Sequence, residues 1–302
     1  MRFDRSRDDV GNLIHLEHVN TRVPDPLLAT LFYVTGLGLT RDPYLMTGIE
    51  NMWVNVGQSQ FHLPTGPAQV VRGTVGLALP DLEALMKRLE RITPRLDGTA
   101  FSYSRTEEGV AVVSPWGNRL LCHAPDPALG PFLLGMPYVR LDVPRGTAEG
   151  IAAFYREILR TPARVRKENG VVRAEVRAGI WQSLIFAETE AALPPYDGHH
   201  IQIYIADFSG PHRELATRGL ISEESDEHQY RFVAIVDPGS GDLLYELEHE
   251  VRSLRHPLFG RPLVNRDPRQ TNLDYLPGRD ALAFSYERPP FATKAGAAER
   301  GK

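Results

Sequence analysis

The sequence predicts an α+β protein made of four tandem βαβββ units. Two observations predict it: four segments open with the same strand-then-helix pattern, and each is followed by β-type segments with Gly or Pro turns between them. The chain has 302 residues, of which 42% are hydrophobic. That content is enough for a well-packed core in one large domain or in two ordinary ones.

The four openings alternate like a strand and then change to helical spacing. Unit one reads "LEHVNTRVPDPLLATLFYVTGLGL" and unit three reads "MPYVRLDVPRGTAEGIAAFYREIL". Their helical parts contain Phe32-Tyr33 and Phe154-Tyr155, respectively. Units two and four open with the shorter segments "GTVGLALPDLEALMKRLERI" and "HHIQIYIADFSGPHRELATRGL". Since the pattern recurs four times, we interpret it as an internal repeat.

The β-type segments that complete the units are "NMWVNVGQSQFHLP", "EGVAVVSPWGNRLLCH", "VVRAEVRAGIWQSLIFAE" and "YRFVAIVDPGSGDLLYELE". The first two units form a predicted module over residues 12–125, and the last two form a second over residues 136–252. The segment "PDPALGPFLLG" is interpreted as the linker between them. Residues 253–302 show no clear period, end in a low-complexity tail and are predicted to be largely irregular.

Charge and composition exclude several classes of function. The net charge is −4 with acidic and basic residues interspersed, so neither a nucleic-acid-binding stripe nor a polybasic membrane patch is expected. No apolar run is long enough for a membrane span, and the N-terminus lacks a signal-peptide core, which favours a cytoplasmic protein. The single cysteine, Cys122, excludes a cysteine-cluster zinc site. Any metal site must therefore use His, Asp or Glu.

The four βαβββ units resemble the vicinal oxygen chelate superfamily, which includes glyoxalase I, extradiol dioxygenases and bleomycin resistance proteins. The resemblance covers residues 12–250 and depends on "LEHVNTRVPD", "FYVTGLGL", "SPWGNRL" and "GHHIQIYIAD". It implies two glyoxalase-like open-barrel modules, with metal ligands on the first and last strand of each unit. It also implies that unit one pairs with unit four, and unit two with unit three.

The resemblance places four candidate metal ligands in units one and four: His18, His62, His200 and Glu246. Glu248 is a rival to Glu246 because it lies on the same face of the strand. The corresponding positions of units two and three fall on Thr74, Leu121 or Cys122, Tyr138 and Phe186, of which only a Cys122 thiolate, with His123 nearby, could hold a soft metal; a cysteine in a strand is more often a small buried hydrophobe. We therefore expect one divalent metal ion per chain, Fe, Zn, Ni, Co or Mn, and a second cleft without one.

Strand parity places further polar residues in the same cleft as the ligands. The predicted substrate-binding residues are Asn20, Gln60, Gln202 and Tyr204. A row of amides and a phenol on an inward face is unusual for a plain core, because buried polar groups need partners. The pattern indicates a site that forms hydrogen bonds with a polar ligand.

Three functions are compatible with these residues. The first is a metal-dependent lyase or isomerase of glyoxalase type, acting on a small substrate with vicinal oxygens, in which Glu246 is both ligand and base. The second is an Fe(II) dioxygenase with a 2-His-1-carboxylate site, although extradiol enzymes take their ligands from units three and four. The third is a non-catalytic small-molecule-binding protein. The partner expected in each case is a small molecule, and the protein is expected to be a monomer or a homodimer.

Overall fold

The computed structural model describes residues 5–45, 48 and 50–282 of the chain. Its elements follow the predicted order, four times over. Unit one contains β1 Leu13–Asn20, α1 Pro26–Ala29 continuing as a π-helical segment Thr30–Gly36, β2 Thr40–Arg41, β3 Asn51–Val56 and β4 Ser59–Pro64. Unit two contains β5 Gly73–Ala78, α2 Leu82–Ile92, β6 Ser102–Arg105, β7 Val110–Val113 and β8 Arg119–His123. The α+β class with tandem βαβββ units is therefore confirmed.

The second half repeats this order. Unit three contains β9 Gly135–Pro144, α3 Ala148–Glu157, β10 Ala163–Glu168, β11 Val171–Arg177 and β12 Ser183–Thr189. Unit four contains β13 His200–Ile205, α4 Ser209–Thr217, β14 Ile221–Asp226, β15 Gln229–Val236 and β16 Leu243–Ser253. No helix of the described residues is long and apolar enough to cross a membrane.

The strands form two eight-stranded sheets, and each sheet takes one unit from each half of the sequence. The first sheet has the order β14-β15-β16-β13-β1-β4-β3-β2, so it joins unit four to unit one. The second sheet has the order β10-β11-β12-β9-β5-β8-β7-β6, so it joins unit three to unit two. The predicted pairing of the units is confirmed. Antiparallel contacts of β1 with β13 and of β5 with β9 make the joins.

The helices lie between the sheets and share one apolar core with them. On α3, Phe154 packs against Phe232 of the first sheet, with ring centroids 5.8 Å apart. Its neighbour Tyr155 packs against Phe186 of the second sheet at 5.4 Å. Gln182 adds a polar tie, since its buried amide donates to the carbonyl oxygens of Leu16 (2.8 Å) and Met136 (3.1 Å). The two sheets are thereby fixed relative to each other.

Phe186 was expected in the second cleft, and the structure corrects this. The side chain is fully buried on the helix side of β12, against Tyr155 and Tyr245. Phe61 of β4 has the same environment, since it packs on Tyr33 at 5.0 Å. The structural equivalent of Phe186 is therefore Phe61, and not His62. The sequence comparison was wrong by one residue because the Gln-Ser repeat at 58–59 and 182–183 is not in structural register.

Residues 254–282 contain no helix or strand, and their one β-bridge joins Arg266 to Ala281. They nevertheless pack on the first sheet: Arg261 pairs with the buried Asp42 at 2.8 Å, and Asn265 bonds the backbone of Gly57. Residues 283–302, which belong to the predicted irregular extension, lie outside the described residues.

His249 of β16 is a histidine of the core and makes stability depend on pH. Its Nδ1–H donates to Leu247 O (2.7 Å), its Nε2 accepts from the Tyr155 hydroxyl (2.6 Å), and its ring stacks on Phe232. Burial lowers the pKa of His249 from 6.5 to about 3. Because only the unfolded chain then gains this proton between those values, stability is complete above about pH 6.5 and is lost as pH falls towards 3, by about 1.4 kcal/mol per pH unit.

Replacing both side chains, Tyr155→Phe with His249→Phe, removes the titrating group together with its hydroxyl partner, so that only Leu247 O loses the donor that His249 provided. The free energy of unfolding is measured with urea between pH 6.5 and 4. Its slope against pH is expected to decrease by the equivalent of about one proton. The single Tyr155→Phe variant should retain the slope of the wild type. An unchanged slope in the double variant would contradict this assignment.

Candidate metal centre

The face of the first sheet opposite the helices carries two cross-strand rows of polar side chains, most of them buried. In the first row, Asn20 of β1 pairs with His62 of β4 and with His200 of β13, and His200 pairs with Glu248 of β16. The second row consists of Gln60, His18, Gln202 and Glu250 on the same four strands. The residues between the rows, among them Val19, Phe61 and Ile201, are buried in the core. This alternation explains why the polar set points to one side.

Three histidines converge at the centre of these rows. One ring nitrogen from each of His18, His62 and His200 lies within 4.8 Å of the others. The ring centroid of His18 is 5.6 Å from that of His62 and 5.8 Å from that of His200. Imidazole nitrogens in this arrangement could hold a transition-metal ion. The structure thus brings together three of the four residues predicted as ligands.

His18 is oriented by its neighbour Glu17. A bulge in β1 between Leu16 and His18 leaves Glu17 without a partner on β13 and turns its side chain towards His18. The Glu17 carboxylate lies 2.5 Å from His18 Nδ1, whereas His18 Nε2 is buried and has no hydrogen-bond partner among the described residues. The carboxylate fixes the tautomer in which the Nε2 lone pair faces the cluster.

Glu17 remains ionised in this buried position. Burial alone would raise the pKa of its carboxyl, but His18 and Arg252 outweigh this and the pKa is lowered. The sequence reasoning missed Glu17 because ideal strand alternation places it on the face opposite His18. No pattern in the sequence indicates the bulge.

His200 is held in a similar way. Its Nδ1 lies 3.3 Å from a carboxylate oxygen of Glu248 and its Nε2 lies 3.5 Å from one of Glu250. Burial lowers the pKa of His200, although Glu250 acts in the opposite direction. The neutral ring therefore dominates at neutral pH, and neutral imidazole is the form that binds metals.

His62 has partners on both ring nitrogens. Asn20 Nδ2 donates to Nδ1 (2.6 Å), and Nε2–H donates to Asn51 Oδ1 (2.5 Å). The ring also stacks on Trp53 at 3.7 Å, and burial lowers its pKa to about 2. Binding of a metal by His62 would require one of these amide contacts to be exchanged. His18 and His200 are the better prepared ligands.

The fourth predicted ligand, Glu246, is not part of this cluster. Its side chain is exposed, and its backbone pairs with Ala234 of β15. The prediction ended the last strand near Glu248, but β16 continues to Ser253. In the observed register, His200 lies opposite Glu248, so Glu246 is displaced along the strand away from the histidines.

Glu250 occupies the position that was assigned to Glu246. A local twofold relation between β1 and β13 maps His18 onto His200 and Asn20 onto Gln202. Because Asn20 pairs with His62 and Gln202 pairs with Glu250, the same relation maps His62 onto Glu250. Glutamates at 246, 248 and 250 share one strand face in the sequence, and only the strand register selects among them.

The Glu250 carboxylate is buried between two arginines. It is 3% exposed, forms ion pairs with Arg231 and Arg252, and lies next to His200. Burial would raise the pKa of its carboxyl, but His200, His18 and the arginines hold it well below its usual range. Glu250 is thus permanently charged and is a weak base.

The predicted substrate-binding residues Asn20, Gln60, Gln202 and Tyr204 are all buried on this face of the sheet. Gln60 donates to Asp42 (3.1 Å) and Asn55 (2.5 Å). Gln60 Oε1 and both amide atoms of Gln202 have no hydrogen-bond partner within the described part of the chain, whereas the Tyr204 hydroxyl lies next to Arg252. Buried polar atoms without partners are rare, and water or a ligand is their usual explanation.

The equivalent positions of the second sheet do not offer metal ligands. Phe61 and Phe186 are equivalent, so Ala187 corresponds to His62, and its partner Asp142 corresponds to Asn20. Through the same pairings, Arg140 corresponds to His18, Arg119 to Glu250 and Arg72 to His200. Tyr138, which was expected at a ligand position, lies over Gly76, and its hydroxyl contacts His123 Nε2 (2.8 Å).

No known protein-family model matches this sequence, and no curated protein matches it either. Several solved structures share its fold. Glyoxalase I from Zea mays is 15% identical, with a TM-score of 0.54, and the match covers 79% of this chain and 92% of that one. A Bacillus subtilis protein described as a candidate dioxygenase is 15% identical, with a TM-score of 0.53, and the match covers 83% and 91%. At this level of identity the likeness shows the fold.

Proposed function

We propose, on the premise that the chain has the fold of the vicinal oxygen chelate superfamily, that it is a metal-dependent enzyme for a small substrate with two adjacent oxygens. His18, His200 and Glu250 would hold the metal as a 2-His-1-carboxylate set, with His62 beside it. When bound, the metal supplies Lewis acidity and, if it is iron, the capacity to activate dioxygen.

Among the reactions open to such a site, oxidation by dioxygen fits better than a glyoxalase-type isomerisation. The observation that carries this choice is the pairing of the carboxylates. Glu250 is neutralised by two arginines, Glu248 contacts Arg231 and His200, and Glu17 is bonded to His18. An isomerase that moves a proton between carbon atoms needs a free base with a pKa near the working pH. The pKa values of Glu17 and Glu250 are lowered, and each of the three carboxylates is engaged by a histidine or an arginine, so none is a free base.

The remaining residues of the site bind and orient the substrate in this proposal. Gln202 and Gln60 present amide atoms without partners on either side of His18, where they can form hydrogen bonds with substrate oxygens. Trp53, stacked on His62, narrows the same side of the site. Burial of the cluster limits the access of water.

Glyoxalase-type isomerisation remains the second candidate, because the fold is shared with glyoxalase I from Zea mays. In that case the site has one carboxylate rather than two, because His62 occupies the position equivalent to Glu250. Proton transfer on both faces of the substrate would then lack one base.

The experiment that separates these functions starts from protein loaded with Fe²⁺ under anaerobic conditions. Nitric oxide is expected to give an S = 3/2 electron paramagnetic resonance signal of about one spin per chain, because open coordination positions are needed for dioxygen. Catechols should then support oxygen consumption. Isomerisation of the methylglyoxal–glutathione hemithioacetal by Zn²⁺- or Ni²⁺-loaded protein, without oxygen uptake, would favour the isomerase. Protein that retains no divalent metal would contradict both and favour a non-catalytic binding protein.

A further inference from the structure

The chain that follows β16 forms one wall of the cleft. This strap, residues 254–267, runs over the ring of Tyr204. The ring centroids of His256 and Phe259 lie 6.3 and 5.0 Å, respectively, from that of Tyr204. It then reaches the β2–β3 edge of the first sheet, where Arg261 pairs with Asp42. There Asn265 accepts a hydrogen bond from Gly57 N (3.0 Å) and donates one to Gly57 O (2.8 Å). These buried contacts fix the strap across the sheet.

A cavity of about 220 Å³ lies between the strap and the sheet. It is lined by apolar side chains, among them Leu258, Phe259 and Leu263 of the strap and Tyr204 of the sheet, and also by the polar side chains of His15, Glu17, Gln58 and Arg261. Ile180 and Phe259, both lining it, are 56% and 37% exposed. Large apolar side chains exposed around a concavity are typical of a ligand-binding surface.

Glu17 connects this cavity to the histidine cluster. Its side chain lines the cavity, and its carboxylate contacts His18 Nδ1. His15, which also lines the cavity, precedes His18 by three residues on β1, a separation of about 10 Å along a strand. The cavity and the histidine cluster therefore lie next to each other on β1, with the Glu17 side chain in contact with both.

We propose that the strap cavity binds the apolar end of the substrate, a group about the size of one aromatic ring, while the adjacent oxygens face His18 and His200. This inference rests on the proposed function. The volume is sufficient, because a dry protein cavity of about 150 Å³ accommodates benzene. The strap, which lies outside the four repeated units, thus determines which substrates fit.

The cavity itself is tested without metal or turnover. Toluene is titrated into methyl-labelled protein, and nuclear magnetic resonance shifts are expected at Leu258, Leu263 and Ile180. Leu258→Trp, which fills the cavity, should weaken toluene binding at least tenfold. Leu273→Trp is the matched control, since Leu273 is 92% exposed on the same extension and should bind toluene like the wild type. Ile180→Asp, at an exposed position, also weakens binding even if Leu258→Trp fails to fold. Absence of toluene shifts at these methyl groups would overturn the proposal.

The connection to the substrate is tested with Zn²⁺-loaded protein. 4-Phenylcatechol is expected to bind at least tenfold more tightly than catechol, and Leu258→Trp should abolish this advantage while catechol binding persists. Equal affinities in the wild type would overturn the proposal. If toluene binds and neither catechol does, the proposed function is wrong and the cavity does not bind its substrate. The toluene result would then show only that the cavity binds apolar molecules.

Discussion

Replacing Glu250 by glutamine is expected to reduce the affinity for Zn²⁺ or Fe²⁺ by more than about 100-fold. Loss of groups that only orient metal ligands costs about 10–100-fold, and a ligand should cost more. Glutamine retains the shape but removes the negative charge next to His200. The dissociation constant is measured by competition with a chromophoric chelator.

The matched control is Glu246→Gln, the same chemical change four residues earlier on β16. Glu246 is exposed and away from the histidines, so its variant should bind metal like the wild type. Because Glu250→Gln leaves Arg231 and Arg252 without their shared partner, a stability loss of about 3–5 kcal/mol is expected. His200→Gln, which keeps these ion pairs, serves as a second ligand deletion. If Glu250→Gln retained the metal and Glu246→Gln lost it, the observed pairing of β16 with β13 would not explain the metal site.

Elemental analysis of protein purified without chelators is expected to give one tightly bound metal per chain. The His18→Ala, His200→Ala double variant should contain none, since each of these rings supplies a nitrogen to the cluster and neither Nε2 has a hydrogen-bond partner among the described residues. The reason for one metal rather than two is the composition of the second sheet, where Arg140, Arg119, Arg72 and Ala187 occupy the equivalent positions. Guanidinium groups repel a cation and offer it no lone pair.

A variant of Cys122 and His123, on the second sheet, serves as the control for the expected ratio of one metal per chain. Burial raises the pKa of the Cys122 thiol to about 12, so the free thiol is protonated at neutral pH. His123 bonds Glu108 O and the Tyr138 hydroxyl. A Cys122→Ser, His123→Gln variant should therefore retain one metal. A ratio near two in the wild type, or one equivalent left in the His18, His200 variant, would mean that the second sheet also binds a metal.

The sequence by itself determined the repeat and hence the fold. Alternation in "LEHVN" and "HIQIYI", followed by helical spacing, depends only on which face of each element is apolar, and this is a local property. The resemblance to the superfamily placed His18, His62 and His200 among the metal ligands, and the structure brings these three together. The resemblance then predicted which units pair, and the sheet order confirms it.

The tertiary structure alone decided the residues whose position depends on register between distant strands. Glu246, Glu248 and Glu250 are equivalent by period, and only the pairing of β16 with β13 places Glu250 beside His200. The bulge that turns Glu17 towards His18, and the one-residue offset that makes Phe186 equivalent to Phe61, leave no trace in the alternation of either strand. The strap has no period, so its contacts with Tyr204 and Asp42 arise from long-range packing. Local patterns fix which face a side chain occupies, whereas pairing between strands that are distant in the sequence fixes which side chains meet.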